Sequence, residues 1–346
     1  MIIDPDQPSP HYPVRPEWLA LHDEPAIDPE QEIVDPHHHL WDRKADGRYF
    51  LHDLLADLAS GHRIVDTVFM ECGAMYRASG PEEERSLGET EFANGVAAMS
   101  ASGAYGDTRI CRGIVGSADL RLGAGVERVL EKHLAAAGDR FKGVRQVSAW
   151  HDNPAARGSL ANPPVGLLEQ SGFRDGVRCL ASMRLTFDAY MYHTQLPEAV
   201  ALARAVPEAT IVLNHVGGAI GIGPYAGKRD EVFQAWRRDM RTLASCSNVV
   251  VKLGGMGMRV FGFGHGDEPR PPSSAELARA WKPYVDSLIE LFGPSRCMFE
   301  SNFPVDKGSC SYGALWNAFK RIAAGASADE RDQLFQATAR RIYRLG

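Results

Sequence analysis

A single eight-stranded α/β barrel, (β/α)₈, is the fold this sequence predicts, and three observations predict it. Eight short apolar runs rich in β-formers recur along the chain. Helix-like stretches separate them, the alternation that produces a parallel sheet with crossover helices. Polar and ionisable residues collect at the C-terminal ends of the runs, the face on which such barrels build their sites.

The runs lie at 33–37, 64–71, 109–116, 141–147, 182–188, 210–215, 249–253 and 296–302. Between them come helical stretches, for example 125–137, 196–205, 230–244 and 275–292. By length alone 346 residues allow two domains, but a barrel of this class commonly takes about 250 residues or more as one unit. Residues 1–30 stand apart. They are rich in Pro, Asp and Glu with isolated anchors Trp18 and Leu19, and read as an extended N-terminal arm ahead of one barrel domain at 31–346. The arm can lie on the barrel or pack on a neighbour, which leaves a homo-oligomer open.

A net charge of −6 with acidic and basic residues well mixed offers no nucleic-acid surface and no attraction to an anionic membrane, so the expected partner is a small molecule. The run Glu82-Glu83-Glu84 reads as a solvated face. Six scattered cysteines with no CxxC pair read as reduced packing thiols. Neither a signal peptide nor a long uninterrupted apolar stretch is visible, so a cytoplasmic location is expected.

The strongest local signal is Val34-Asp35-Pro36-His37-His38-His39-Leu40-Trp41-Asp42. Residues two apart on a strand face the same side, so His37 and His39 can converge on one metal ion or one substrate oxygen while His38 points to the wall. His215, in Leu213-Asn214-His215-Val216-Gly217-Gly218, ends an apolar run and supplies a third nitrogen. Three protein ligands plus water is a common catalytic zinc arrangement, so one divalent ion, zinc, on His37, His39 and His215 is expected. Glu71 and Asp188 end runs two and five, where a carboxylate can act as general base or metal ligand. Any of these carboxylates can instead hold a histidine ring in place.

Together the Asp35-x-His37-x-His39 strand, the His215-Val-Gly-Gly strand end and the closing Phe299-Glu300-Ser301-Asn302-Phe303-Pro304-Val305-Asp306 resemble the amidohydrolase superfamily, and within it the sugar-lactonase and pyrone-dicarboxylate-lactonase branch. The resemblance runs from about residue 30 to the C-terminus and implies a (β/α)₈ fold and attack of activated water on a lactone carbonyl. It also implies that Arg145, on run four, faces a substrate carboxylate or carbonyl. The residue itself fits a second role equally well, as partner to Asp188 or Glu71 across the mouth.

One residue departs from the pattern. Relatives usually close strand eight with Gly-Ser-Asp-x-Pro, where the Asp helps bind metal and takes a proton from water; this chain has Asn302 there. An amide cannot serve as that base. The task then falls to Asp188 or Glu71, with Glu300 third, or a metal-bound hydroxide forms without a base, and Asn302 positions water or the carbonyl. Some branches of the superfamily also work without metal.

Arg184 shares the parity of Asp188 and reads as a deeper ion-pair partner, whereas Lys252 reads equally as a site or wall residue. The lactone itself is not identified, but one bearing a carboxylate or hydroxyls suits Arg145. Two rivals remain: a decarboxylase of the same superfamily and a barrel that binds ligand without turnover. The stretches 75–92 and 256–272 read as loops that shape the pocket, and 254–266 as a surface loop or lid.

Overall fold

The computed structural model describes residues 8–159, 161 and 163–346. Eight strands follow one another around a barrel in chain order, every neighbouring pair parallel. They are β1 (Glu32–His38), β2 (Arg63–Met70), β3 (Arg109–Gly116), β4 (Phe141–Arg145), β5 (Thr186–Ala189), β6 (Ile211–Leu213), β7 (Val249–Leu253) and β8 (Cys297–Phe299). The ring closes where Asn302 N–H donates to His37 O (2.9 Å) and His39 N–H to Phe303 O (2.7 Å).

Helices α1 (Leu51–Leu58), α2 (Leu87–Ala101), α3 (Glu127–Ala137), α4 (Ser171–Ser182), α5 (Leu196–Ala205), α6 (Arg229–Ala244), α7 (Ser274–Phe292) and α8 (Tyr312–Ile322) each follow one strand. Each buries an apolar stripe on the barrel; in α6 that stripe is Val232, Trp236, Met240 and Leu243. Local chemistry fixes their starts. In α7 the Ser273 hydroxyl accepts from Glu276 N–H and the Glu276 carboxylate accepts from Ser273 N–H, satisfying two otherwise unpaired donors.

The core has two parts. One fills the annulus between strands and helices; the other lies inside the barrel and consists of Val34, Val68, Met70, Val115, Val212, Val250 and Met298. Ala339, Ile342 and Tyr343 of the last helix, α9 (Thr338–Tyr343), pack against those inward side chains. That helix packs across the N-terminal end of the barrel, opposite the mouth formed by the C-terminal ends of the strands.

Several expected boundaries move. Run five was placed at 182–188, but Ser182 ends α4 and the strand begins at Thr186. Arg184 consequently sits exposed in the intervening turn at φ 58°, with no ion-pair partner among the described residues, instead of deep in the barrel. Runs four, six and eight stop early, at Arg145, Leu213 and Phe299, because the chain leaves the sheet to present its polar residues. Segment 75–92 is not all loop, since α2 begins at Leu87. The 254–266 stretch is a packed wall, neither lid nor surface loop: Met256, Met258, Val260 and Phe261 are buried, and Gly221 N–H donates to Val260 O (2.7 Å).

The arm folds back on its own barrel. Trp18 is buried and its Nε1 donates to Glu268 O (2.9 Å), and Ile27 N–H donates to the Asn317 side chain on α8 (2.7 Å). All six cysteines are free, five of them buried. Among the described residues no helix is long and apolar enough to cross a membrane.

Candidate active site

The open mouth holds a cavity of about 580 Å³ whose walls include His39, Glu71, Arg145, Tyr190, His215 and Asn302. That size suits a small organic molecule (typical sites hold ~300–1,000 Å³).

His37 and His39 share a face of β1 and its extension, and their ring centroids lie 5.0 Å apart; the His215 ring is 4.5 Å from that of His37. His38 turns the other way, its Nε2 2.8 Å from Thr67 Oγ1 in the wall. The inward rings share a common arrangement. His39 Nδ1 donates to Met70 O (2.9 Å), and His215 Nδ1 to Glu300 Oε1 (2.8 Å). Glu300 Oε2 stands 2.6 Å from His37 Nδ1, and the Arg145 guanidinium donates to Nε2 of the same ring (3.3 Å), which assigns the ring hydrogen to Nδ1. With every Nδ1 carrying its hydrogen, every Nε2 carries a lone pair.

Burial lowers all three imidazoles, His37 and His39 well below the ordinary range, with the cations Lys252 and Arg145 adding to it, so the rings are neutral at pH 7. At His215 the Glu300 carboxylate opposes burial without reversing it.

His215 is held at φ 54° and Asn302 at φ 56°, left-handed conformations that cost roughly 1–3 kcal/mol each. Glu300 helps retain the first by accepting from His215 N–H (3.0 Å). Gly255 makes room for the ring: a Cβ there would run into it, and φ +69° is itself suited to glycine. Gly255→Ala is therefore expected to displace His215 and lower kcat/KM about 10–100-fold, the cost of losing a supported position at such centres. A circular dichroism spectrum and steady-state rates check it.

Glu71 and Arg145 form a buried pair. Arg145 Nε donates to Glu71 Oε1 (2.6 Å), Nη2 to Glu71 O, and Nη1 to His37 Nε2 (3.3 Å). Burial works against the guanidinium's charge, but the Glu71 carboxylate outweighs it and holds Arg145 above its usual value. Of the two roles open to Arg145, pairing with Glu71 is the one the geometry displays, and the pair still lines the cavity.

Asp188 lies elsewhere. It is fully buried one layer beneath the mouth, where Lys252 Nζ (3.0 Å), Tyr343 Oη (2.7 Å) and Asn214 Nδ2 (3.2 Å) surround Oδ1 while Thr186 Oγ1 (3.1 Å) meets Oδ2. It does not line the cavity, which corrects its expected place at the mouth. The reason is that β5 runs on to Ala189 and delivers Tyr190 to the rim instead. Lys252 is likewise interior, donating to Pro36 O (2.8 Å).

Asn302 is oriented by a residue the sequence reading left without a role. Its Nδ2 donates to Asp306 Oδ1 (2.8 Å), which turns Oδ1 towards His39 Nε2, 3.3 Å away. Asp306 Oδ2 accepts from Gly257 N–H (2.8 Å). Burial pushes Asp306 up to about 8, yet both its oxygens accept N–H bonds, which is how an ionised carboxylate is held. Two acceptors facing each other, His39 Nε2 and Asn302 Oδ1, suit a cation between them and repel otherwise.

A cation has further partners here. His37, His215 and Glu300 are buried and bring ligand-type atoms within 4.8 Å of one another. Glu300 takes the place that His39 held in the expected trio; its Oε1 already accepts from His215, while Oε2 lies against His37 Nδ1. His37 Nε2 meets the Arg145 guanidinium in this structure, so one of the three lone pairs already faces a positive group.

Other wall residues carried weaker sequence signals. Tyr190 and Trp41 line the cavity with a buried hydroxyl and a buried indole N–H that have no protein partner among the described residues. Trp41 lies on a hairpin (Trp41–Arg43 with Gly47–Tyr49) and stacks on His39. Tyr190 is legible only if run five is extended by two residues of the same parity. Glu82 and Glu83, read as solvent-facing, reach the rim of the cavity.

Residues 34–345 match the amidohydrolase family across nearly the whole barrel. The chain belongs to the amidohydrolase family. It is 34% identical over 334 residues to an uncharacterized protein, y4mH, of Sinorhizobium fredii, covering 90% of this chain and 98% of that one. An L-fucono-1,5-lactonase of Burkholderia multivorans is 28% identical over 233 residues, 67% of this chain and 71% of the other. Among solved structures, an amidohydrolase of Burkholderia multivorans with bound zinc superposes with a TM-score of 0.67 at 25% identity, over 91% of this chain and 99% of that one. This amidohydrolase therefore has the barrel fold that its sequence predicted.

Proposed function

We propose that this amidohydrolase opens a small lactone by hydrolysis at the mouth of the barrel. The carrying observation is the convergence of His39, His215 and Asn302 with the Glu71–Arg145 pair on one cavity, backed by imidazoles whose Nδ1 atoms are all tied. The likeness to an L-fucono-1,5-lactonase supports the ester ring as the target.

His39 and His215, joined by His37 once its Nε2 exchanges the Arg145 guanidinium for the ion, would hold one divalent ion through Nε2, with Asn302 Oδ1 as an added neutral oxygen, and zinc in the Burkholderia structure supports that metal. Such an ion, when bound, polarises a carbonyl and acidifies water. The remaining work belongs to side chains. Tyr190 donates its free hydroxyl to the substrate carbonyl oxygen; burial holds the phenol well above its usual value, so it keeps its proton. Glu71, which lines the cavity and is linked to His37 through the Arg145 guanidinium, takes the proton of the attacking water. The water oxygen bonds to the carbonyl carbon, the ring C–O bond breaks, and the proton passes to the ring oxygen, giving a hydroxy acid.

The charge pattern narrows the substrate. Arg43, Arg121 and Arg145 line the cavity, and each is paired with a carboxylate: Asp46 (3.4 Å), Asp119 (2.7 Å) and Glu71 (2.6 Å). Among the described residues the cavity presents no unpaired cation for a substrate carboxylate. A neutral, polyhydroxylated lactone fits these walls better than a dicarboxylate.

A pH-stat assay on aldonolactones, muconolactone and pyrones, run beside a CO₂ assay, tests the reading. Uptake of one equivalent of base per turnover with no CO₂ is expected. Release of CO₂ would make it a decarboxylase, and ligand-dependent melting shifts without any turnover would make it a binding protein. Glu71→Gln is expected to slow hydrolysis by about 10²–10⁴ and to remove the acidic limb of the kcat/KM profile. Asp188→Asn is expected to keep that limb, because Asp188 does not reach the cavity.

A further inference from the structure

The residues just before the barrel contribute to the cavity as well. His11 of the N-terminal arm stands in the wall of the same cavity as His39 and His215. Only its backbone N–H is bonded, to Ser9 Oγ (3.1 Å); its half-buried ring meets no hydrogen-bond partner among the described residues. The groups that act on it electrostatically are Asp46 and Arg43 of the overhanging hairpin and His215 of the centre. Burial lowers His11 to about 4, so the ring is a neutral donor and acceptor at pH 7.

What holds His11 there is built into the barrel. The next residue, Tyr12, is buried, donates its hydroxyl to Asp267 (2.7 Å) and lies under the Arg259 guanidinium at 4.9 Å. Gly266 and Gly308 approach Tyr12 so closely that a Cβ on either would collide with it. Arg15 then donates to Gly266 O, and Trp18 fastens the following turn. Two barrel loops are thus shaped to receive one arm residue. A strand of chain merely resting on a surface needs no such seat.

We propose that the arm is a fixed wall of the substrate cavity and that His11 is a specificity-determining residue whose ring hydrogen-bonds to bound substrate. The identity of that substrate rests on the lactone reading; the placement of the arm does not. His11 takes no part in bond making, so its loss weakens recognition more than it slows the chemical step.

Two measurements separate this inference from the lactone reading. If the wild-type protein opens lactones, His11→Ala is expected to raise KM about tenfold, the value of one hydrogen bond in a closed site, while kcat falls less. It is also expected to reorder preference among lactones that differ in hydroxyl pattern, with His11→Gln recovering part of the loss. An unchanged KM and an unchanged order would overturn the proposal.

If the wild-type protein opens no lactone, the functional reading fails by itself and the arm is judged by proximity. His11→Cys in a Cys179→Ser background leaves one accessible thiol beside five buried ones. A nitroxide on that thiol is expected to broaden the ring resonances of His39 and His215, whereas one on Ser102→Cys, exposed at the far end of α2, is not. Sharp His39 and His215 signals with the label at position 11 would overturn the placement and the proposal with it.

Discussion

Alanine at His39 or at His215 is expected to lower kcat/KM by about 10³ or more, the several kcal/mol that a polarising centre contributes, while the barrel still folds. Each ring faces the cavity with Nε2 and is anchored from behind through Nδ1, so truncation removes a donor to the reacting centre and leaves its support intact. His37→Ala is expected to do the same, because His37 is the third proposed ligand and also touches both Glu300 and Arg145. His38→Ala provides the contrast. Its ring is buried and bonded to Thr67, so its removal costs roughly 1–3 kcal/mol of stability with little loss of rate. Comparable rate losses in all four variants, with unfolding midpoints unchanged, would contradict the assignment.

The second large effect is expected at Arg145. Its guanidinium makes three contacts in one plane, to the Glu71 carboxylate, to the Glu71 carbonyl and to His37. A lysine keeps the charge but not the fork, and charged hydrogen bonds of this kind are worth ~1.5–3 kcal/mol each, so Arg145→Lys is expected to cost about 100-fold in kcat/KM. Arg145→Met goes further by stranding a buried carboxylate, with an expected loss of ~3–5 kcal/mol in unfolding free energy. Adding Glu71→Gln to Arg145→Met should restore most of that stability and none of the activity. Denaturant unfolding beside steady-state rates separates the two outcomes. Full restoration of activity in the double variant would show that neither residue works on the substrate.

The sequence exposed the barrel because its strands are short and apolar and end in polar residues, and it exposed the centre because His37 and His39 share a strand face. It hid what depends on where a strand stops. Asp188 and Tyr190 have the same parity, and only the observed end of β5 tells which of them reaches the mouth. Asp306 lies four residues past Asn302, where a turn outside the sheet brings its carboxylate back to the amide. His11 was hidden for another reason. Nothing in a Pro-rich arm marks one imidazole as belonging to a cavity, because its position depends on the seat that distant Gly266 and Gly308 provide for Tyr12.

Asn302 shows how a departure from the family's pattern can keep a role. Where relatives carry a carboxylate, this chain offers a neutral oxygen, locked towards His39 by Asp306. The amide cannot remove a proton, so the proposed mechanism divides positioning and proton transfer between Asn302 and Glu71. The cation that would join His39 to Asn302 is the point on which the whole account turns.

Elemental analysis of protein purified without added metal tests it most directly, with activity followed through chelation and reconstitution. The account predicts one divalent ion per chain, lost in step with activity on chelation and restored with it by zinc, and with no ion retained when His39 and His215 are both replaced by alanine. A protein shown to be metal-free that retains full activity would contradict it.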